Sequence, residues 1–140
     1  MTFVLDASVA AAWLLPDERS DAADKVLAMI ALDGARAPSL LWYEVRNILV
    51  MAIRRGRLAD GEAALALARL RRLPIETLDM ALSDDADVIG LASEYRLTAY
   101  DATYLALARR TPAPLATADK ALAHAAGREG IKLLIDVAGR

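Results

Sequence analysis

The sequence contains no cysteine and a single histidine, His124. Disulfide frameworks and thiolate metal sites are thereby excluded, so any metal must be held by oxygen ligands or by that one imidazole. Oxygen ligation points to a hard cation. Long apolar runs are missing too: Asp6, Asp33, Glu44 and Arg54 interrupt each one before it approaches the roughly eighteen residues that a membrane-spanning helix needs. A basic leader is also lacking, because Met1-Thr2-Phe3-Val4-Leu5-Asp6 puts a carboxylate where a signal peptide would carry its apolar segment. These absences predict a soluble, cytoplasmic protein that makes no use of a membrane. Nor does one sign of charge dominate. A net charge of −2 provides no global attraction to nucleic acid, although Arg54, Arg55 and Arg57 form one basic knot and Arg69, Arg71 and Arg72 another. Most of these arginines read as solvated helix faces.

What is present is apolar bulk and a repeating order of elements. With 140 residues, 56% of them hydrophobic, the chain can bury the core of one domain spanning residues 1–140. Short β-forming runs alternate with longer helical ones. Thr2-Phe3-Val4-Leu5 reads as the first strand, and a helix follows from Ser8 towards Pro16. Ser20 caps a second helix that Asp33-Gly34 ends, and Ala35-Arg36-Ala37-Pro38 is the second strand. Further helices are predicted at about 41–55, stopped by Gly56, and at 60–72, closed before Pro74. Ile75-Glu76-Thr77-Leu78 supplies the third strand. Helices at 84–95 and 101–110, a fourth strand at 114–117, a short helix at 120–126 and a terminal strand at 131–135 complete the order. Parallel strands need long crossovers, which are right-handed, so the prediction is an α/β protein: a three-layer α/β/α domain around a central, mainly parallel sheet.

In such sheets the functional crevice lies beyond the carboxyl ends of the strands. Four acids occupy such places. Asp6 directly follows the first strand, and Asp119 comes two residues after Thr117 at the end of the fourth. Glu44 lies in the first turn of the helix after strand two, and Asp101 opens the helix that precedes strand four. Taken singly, Asp6, Asp101 and Asp119 read as helix N-caps and Glu44 as a complement to a helix dipole. Taken together they do not, because carboxylates about 5 Å apart repel by roughly 3 kcal/mol per pair at an effective dielectric of 20. A divalent cation removes that conflict. Magnesium prefers carboxylate and water oxygens, lowers the pKa of a bound water and neutralises a scissile phosphate, which makes phosphodiester hydrolysis the natural chemistry.

These residues resemble the PIN-domain ribonucleases and, within them, the VapC toxins of type II toxin–antitoxin pairs. The resemblance spans nearly the whole chain. It is carried by Val4-Leu5-Asp6-Ala7-Ser8, by Glu44 within Trp42-Tyr43-Glu44-Val45-Arg46-Asn47, by Tyr100-Asp101-Ala102-Thr103-Tyr104, and by Leu115-Ala116-Thr117-Ala118-Asp119. It implies a PIN-like fold and a Mg²⁺- or Mn²⁺-dependent endoribonuclease. Asp6 and Asp101 would be the principal metal ligands, Asp119 a direct or water-mediated one, and Glu44 a ligand or water-orienting group. Ser8 and Thr117 resemble the hydroxyls that support those ligands. Their structural readings, a helix cap and a strand end, are compatible with that role. Water would attack the phosphodiester of RNA in line, leaving a 5′-phosphate and a 3′-hydroxyl. A VapB-like antitoxin is the implied partner, inserting a basic segment near Asp6 and Asp101 while an apolar helix lies beside Trp13 and Trp42.

Other features are read as structural. Trp13, Trp42 and Tyr104 lie on apolar helix faces as core or dimer contacts, and His124 is an exposed helix histidine. Tyr43, Tyr100, Arg46 and Asn47 border the predicted site. The apolar, alanine-rich helices around 41–55 and 91–107 suggest a homodimer. Two rival chemistries fail on the residues. A phosphate-accepting receiver domain would need an acidic pair after strand one and a lysine after its last strand; a haloacid-dehalogenase-like phosphatase would need an aspartate where Ser8 stands. The surviving alternative is a catalytically silent PIN-fold binding module that acts through a protein partner.

Overall fold

Phe3, Val4 and Leu5 are all buried, and they alternate between two cores: Phe3 and Leu5 belong to one apolar cluster, Val4 to another. Successive residues of a strand point to opposite faces, so this strand is covered on both sides. Burying Phe3 and Leu5 contributes about 1.5–3 kcal/mol each. The structure, a computed structural model, describes residues 2–135.

The elements follow in the order β1 (Val4–Leu5), α1 (Ala7–Leu14), α2 (Asp21–Asp33), β2 (Ala35–Pro38), α3 (Leu40–Arg54), α4 (Asp60–Arg71), β3 (Ile75–Leu78), α5 (Asp85–Tyr95), α6 (Ala99–Arg110), β4 (Leu115–Ala116) and α7 (Lys120–Arg128), with 3₁₀ turns at Pro16–Glu18 and Leu82–Asp84. The sheet order is β3-β2-β1-β4 and every pairing is parallel. Helices α1 to α4 supply Val9, Val26, Ile30, Leu41, Val45, Leu49 and Leu70 to the core that holds Phe3 and Leu5. Helices α5 to α7 supply Leu91, Tyr104, Leu105, Leu107 and Leu122 to the other. The predicted three-layer α/β/α architecture is thus the observed one.

Local chemistry sets the element ends. The Ser20 side chain accepts from the Ala23 N–H at 3.1 Å and caps α2. Gly34 closes that helix at φ 75°, and a Cβ there would stand 3.0 Å from the Pro74 carbonyl oxygen. Glycine is required on both counts. Two expectations are corrected in detail. Helix α6 starts at Ala99 rather than Asp101, because Thr98 caps it by accepting from the Asp101 N–H at 3.1 Å. The segment 131–135 runs parallel to β4 but forms one bridge, Leu115 to Leu133, instead of a full strand. Its backbone contact with β4 is made through Leu115, whose N–H donates to Lys132 and whose carbonyl accepts from Leu134, while the Ile131 N–H donates back to Ala126 at the end of α7.

The topology also fixes where a site can form. From β1 the chain proceeds one way to β2 and β3, then crosses to the other side for β4. The strand order therefore reverses at the β1–β4 boundary, and a crevice opens beyond the carboxyl ends of those two strands.

Candidate active site

Leu5 pairs with Ala116, so the next residues of β1 and β4, Asp6 and Thr117, emerge side by side at that crevice. Asp6 is 4% exposed and Thr117 is fully buried. The Thr117 hydroxyl donates to Asp6 Oδ2 at 2.7 Å, and the Ser8 hydroxyl donates to the same oxygen at 2.6 Å. Each hydroxyl also accepts a backbone N–H: Thr117 from Asp119 at 3.0 Å, Ser8 from Ala118 at 2.8 Å. Asp6 occupies the N-cap position of α1 yet makes no side-chain cap bond. Its carboxylate is engaged by the two hydroxyls and the Ala7 N–H rather than by an N–H deeper in the helix.

The other acids arrive from three helix starts. Glu44 comes from the second turn of α3 and Asp101 from the first turn of α6, where Thr98 has taken over the capping and leaves the Asp101 carboxylate free of that role. Asp119 is the N-cap of α7 and accepts from the Leu122 N–H through Oδ1 at 2.9 Å. Its simple structural reading is therefore correct, but only for one of its two oxygens. All four acids, with Ser8, Tyr43, Asn47 and Tyr100, line a single open cleft of about 530 Å³.

Electrostatics mark this cleft as short of positive charge. Burial pushes the Asp6 carboxyl up, against the bonds from Ser8, Thr117 and the Ala7 N–H, and the Asp119 charge adds to the rise. Burial raises Glu44, and the charges of Asp6 and Asp101 raise it further. Asp101 is raised by burial and then by Asp6 and Asp119. Desolvation and like charges both disfavour the ionised form, so the cleft carries a standing penalty. Among the described residues no salt bridge reaches any of the four acids. Nor do any three acidic or imidazole side chains there stand close enough together to make a ready cage for an ion. The donor set suits a hard cation whose remaining positions are filled by water, as magnesium keeps several of its waters.

One participant is not evident from the sequence. Tyr104, expected as a core or dimer contact, is fully buried, but its hydroxyl donates to Glu44 Oε1 at 2.5 Å. Burial and the neighbouring Glu44 push that phenol far above its ordinary value, so it remains a donor. The signal available in the sequence is a tyrosine, where phenylalanine would pack as well, one helical turn after Asp101. Among the bordering residues, Tyr43 and Tyr100 are exposed at the rim, and the Arg46 guanidinium stands 5.3 Å from the Tyr43 ring centroid. His124 is exposed on α7 and does not line the cleft. Trp42 is buried, donating from its indole N–H to Thr77 Oγ1 at 3.0 Å beneath the Arg71 guanidinium, and Trp13 donates to the Ala23 carbonyl at 2.7 Å.

Comparison with known proteins places this arrangement. The profile of the PIN domain matches residues 3–128. Ribonuclease VapC3 of Pyrobaculum aerophilum is 35% identical over 128 residues, covering 89% of this chain and 94% of that one. A crystal structure of a Pyrobaculum aerophilum protein superposes with a TM-score of 0.72 at 25% identity, covering 96% of this chain and 92% of the other. The fold is also shared with VapBC2 from Rickettsia felis, solved with a DNA fragment from their promoter: TM-score 0.69, 14% identity, 95% of this chain and 97% of that one. By the extent of the domain match and by its likeness to a VapC ribonuclease along most of both chains, this chain belongs to the PIN-domain family, in its VapC branch.

Proposed function

We propose that the chain is a metal-dependent endoribonuclease and the toxin of a VapBC-type pair, working in the cytoplasm. The observation that carries this reading is one cleft lined by four carboxylates with no cation paired to them among the described residues. Asp6 and Asp101 would be the principal metal ligands, Asp119 a direct or water-mediated one, and Glu44 a ligand or water-orienting group. When bound, Mg²⁺ or Mn²⁺ supplies the charge that activates a water and neutralises the phosphate. The chain's residues set the geometry: Ser8 and Thr117 fix the Asp6 carboxylate by two hydrogen bonds, and the RNA phosphodiester would lie in the cleft that the four acids line. The water oxygen bonds to phosphorus as the bond to the 3′ oxygen breaks, leaving a 5′-phosphate and a 3′-hydroxyl.

The decisive experiment is RNA cleavage by the purified chain over a Mg²⁺ and Mn²⁺ titration. Cleavage should appear with the ion and vanish in excess EDTA. Undiminished cleavage in chelator would overturn the metal mechanism, and an inert protein at every metal concentration would favour the silent binding module.

An antitoxin fits a second feature. Trp13, Leu14, Leu58, Leu65, Leu70 and Leu73 line an apolar groove of about 510 Å³ between α1, α2 and α4. Trp42, which the sequence associates with such a groove, lies in the core instead. We assign this groove to an apolar helix of a VapB-like partner whose basic segment reaches the acidic cleft, where arginine can pair bidentately with a carboxylate. Leu65→Asp should weaken co-purification with the antitoxin by about tenfold or more while RNA cleavage persists. Equal retention of parent and variant would place the antitoxin elsewhere. A homodimer remains part of the proposal. Much of the apolar face expected to drive it, including Leu91, Leu105 and Leu107, is buried within the chain, and the support left is exposed Val50, Leu82 and Ile89.

A further inference from the structure

A tyrosine ring within a core must find a partner for its hydroxyl. Tyr104 belongs to the cluster that packs under β1 and β4, and its hydroxyl reaches Glu44, 60 residues away in sequence. Phenylalanine would fill the same volume and need no partner. The position of the ring matters as much. Tyr104 follows Asp101 by three residues on α6, so the two side chains lie one turn apart on the same face, Asp101 lining the cleft and Tyr104 deeper. Helix α6 therefore provides one acid of the cleft and a strut for another acid that comes from α3. The strut engages Oε1 of Glu44, which fixes the rotation of the carboxylate and leaves Oε2 as the oxygen that can face the cleft. Asp101 is supported differently, from within its own helix start, where Thr98 accepts from its N–H and also lies against its carboxylate.

We infer that Tyr104 is a positioning residue of the metal site: its buried hydroxyl presents Glu44 to the cleft and so sets the affinity for the divalent ion. This rests on the metal-site reading above and adds a specific requirement to it. A residue that orients a ligand alters metal affinity and turnover while leaving substrate binding alone, and losses of about 10–100-fold are typical.

Tyr104→Phe deletes one oxygen and keeps the ring. Calorimetric titration with Mn²⁺ should show affinity lowered by about 10–100-fold, and kcat at limiting Mn²⁺ should fall in step with KM for RNA unchanged. Excess Mn²⁺ should restore turnover. The internal control is Tyr95→Phe, which removes an analogous bond, from Tyr95 at the end of α5 to Glu129 at the end of α7, neither of which lines the cleft. It should leave Mn²⁺ affinity unchanged. A measurement on the unaltered chain guards against a variant that folds poorly. The ¹³Cζ resonance of Tyr104, which reports its hydrogen bond, should shift in a Mg²⁺ titration with the midpoint of activity, while that of Tyr95 stays still. Parental Mn²⁺ affinity in Tyr104→Phe, an equal loss in both variants, or a Tyr104 resonance indifferent to Mg²⁺ would each overturn the inference. A parent that binds no Mn²⁺ and cleaves no RNA would instead sink the metal-site reading itself.

Discussion

Asparagine at Asp6 or at Asp101 should abolish RNA cleavage and yet, in excess chelator, leave a protein at least as stable as the parent. Both carboxyls are held above their ordinary values, first by burial and then by neighbouring acids. The folded state thus binds these protons more tightly than the unfolded chain does. The stabilisation from protonation is complete below the ordinary carboxylate value of 3.8 and is lost as pH rises through the raised folded values. At neutral pH the metal-free parent carries the full penalty and the asparagine variant does not. The variant's advantage should therefore be largest at neutral pH and shrink as pH falls. Each 1 kcal/mol gained would raise Tm by roughly 4 °C in a chain of this size. Asp17 and Glu129, whose carboxyls are lowered by Arg57 and by Tyr95 with Arg109, contribute in the opposite sense, so the comparison must be variant against parent at each pH. Mg²⁺ should then stabilise the variants less than the parent. Thermal melts in EDTA showing both variants strongly destabilised would identify the acids as structural instead.

Thr117→Val is expected to cost both activity and stability, although the two side chains are nearly the same shape. The hydroxyl links two groups that valine cannot serve: it donates to Asp6 Oδ2 and accepts from the Asp119 N–H. Without it Asp6 retains Ser8 and the backbone, and the part-buried Asp119 N–H loses the partner it has in the buried Thr117 hydroxyl. An unsatisfied buried group costs about 1–3 kcal/mol. Loosening a ligand's support costs about 10–100-fold in activity or metal affinity. Thr117→Ser keeps the oxygen and should recover most of both. Chemical denaturation paired with a Mn²⁺ activity titration would decide it; a valine variant with parental melt and turnover would remove Thr117 from the site.

The arrangement of layers was legible because the strands are short and bounded by turn or cap signals, as with Ser20 ahead of α2 and Gly34 after it, and because β1 and β3 are rich in β-formers. The terminal segment misled because Ile131 to Ile135 has strand composition, while ladder formation depends on a neighbour, and β4 offers it only Leu115. The acids were legible because parallel topology gathers residues that follow strands. Their ranking by role was less so. Whether Asp101 or Thr98 caps α6 depends on backbone geometry at the helix start, and both residue types are competent caps. Tyr104 was missed for a related reason. A helical apolar pattern locates a ring but says nothing about where a hydroxyl ends, and its partner lies on another helix.

The reversal of strand order at β1 also bears on how the chain is made. Asp6 is synthesised early relative to β4, the partner that brings Thr117 and Asp119 beside it, which comes more than a hundred residues later. Contacts of such long range form late and slowly, since a large loop must close before they are rewarded. A nascent chain that ends before Asp119 lacks one wall of the cleft, however well its first helices have packed. Activity should thus appear only once the segment carrying Thr117 and Asp119 has been made and the sheet can close around Asp6.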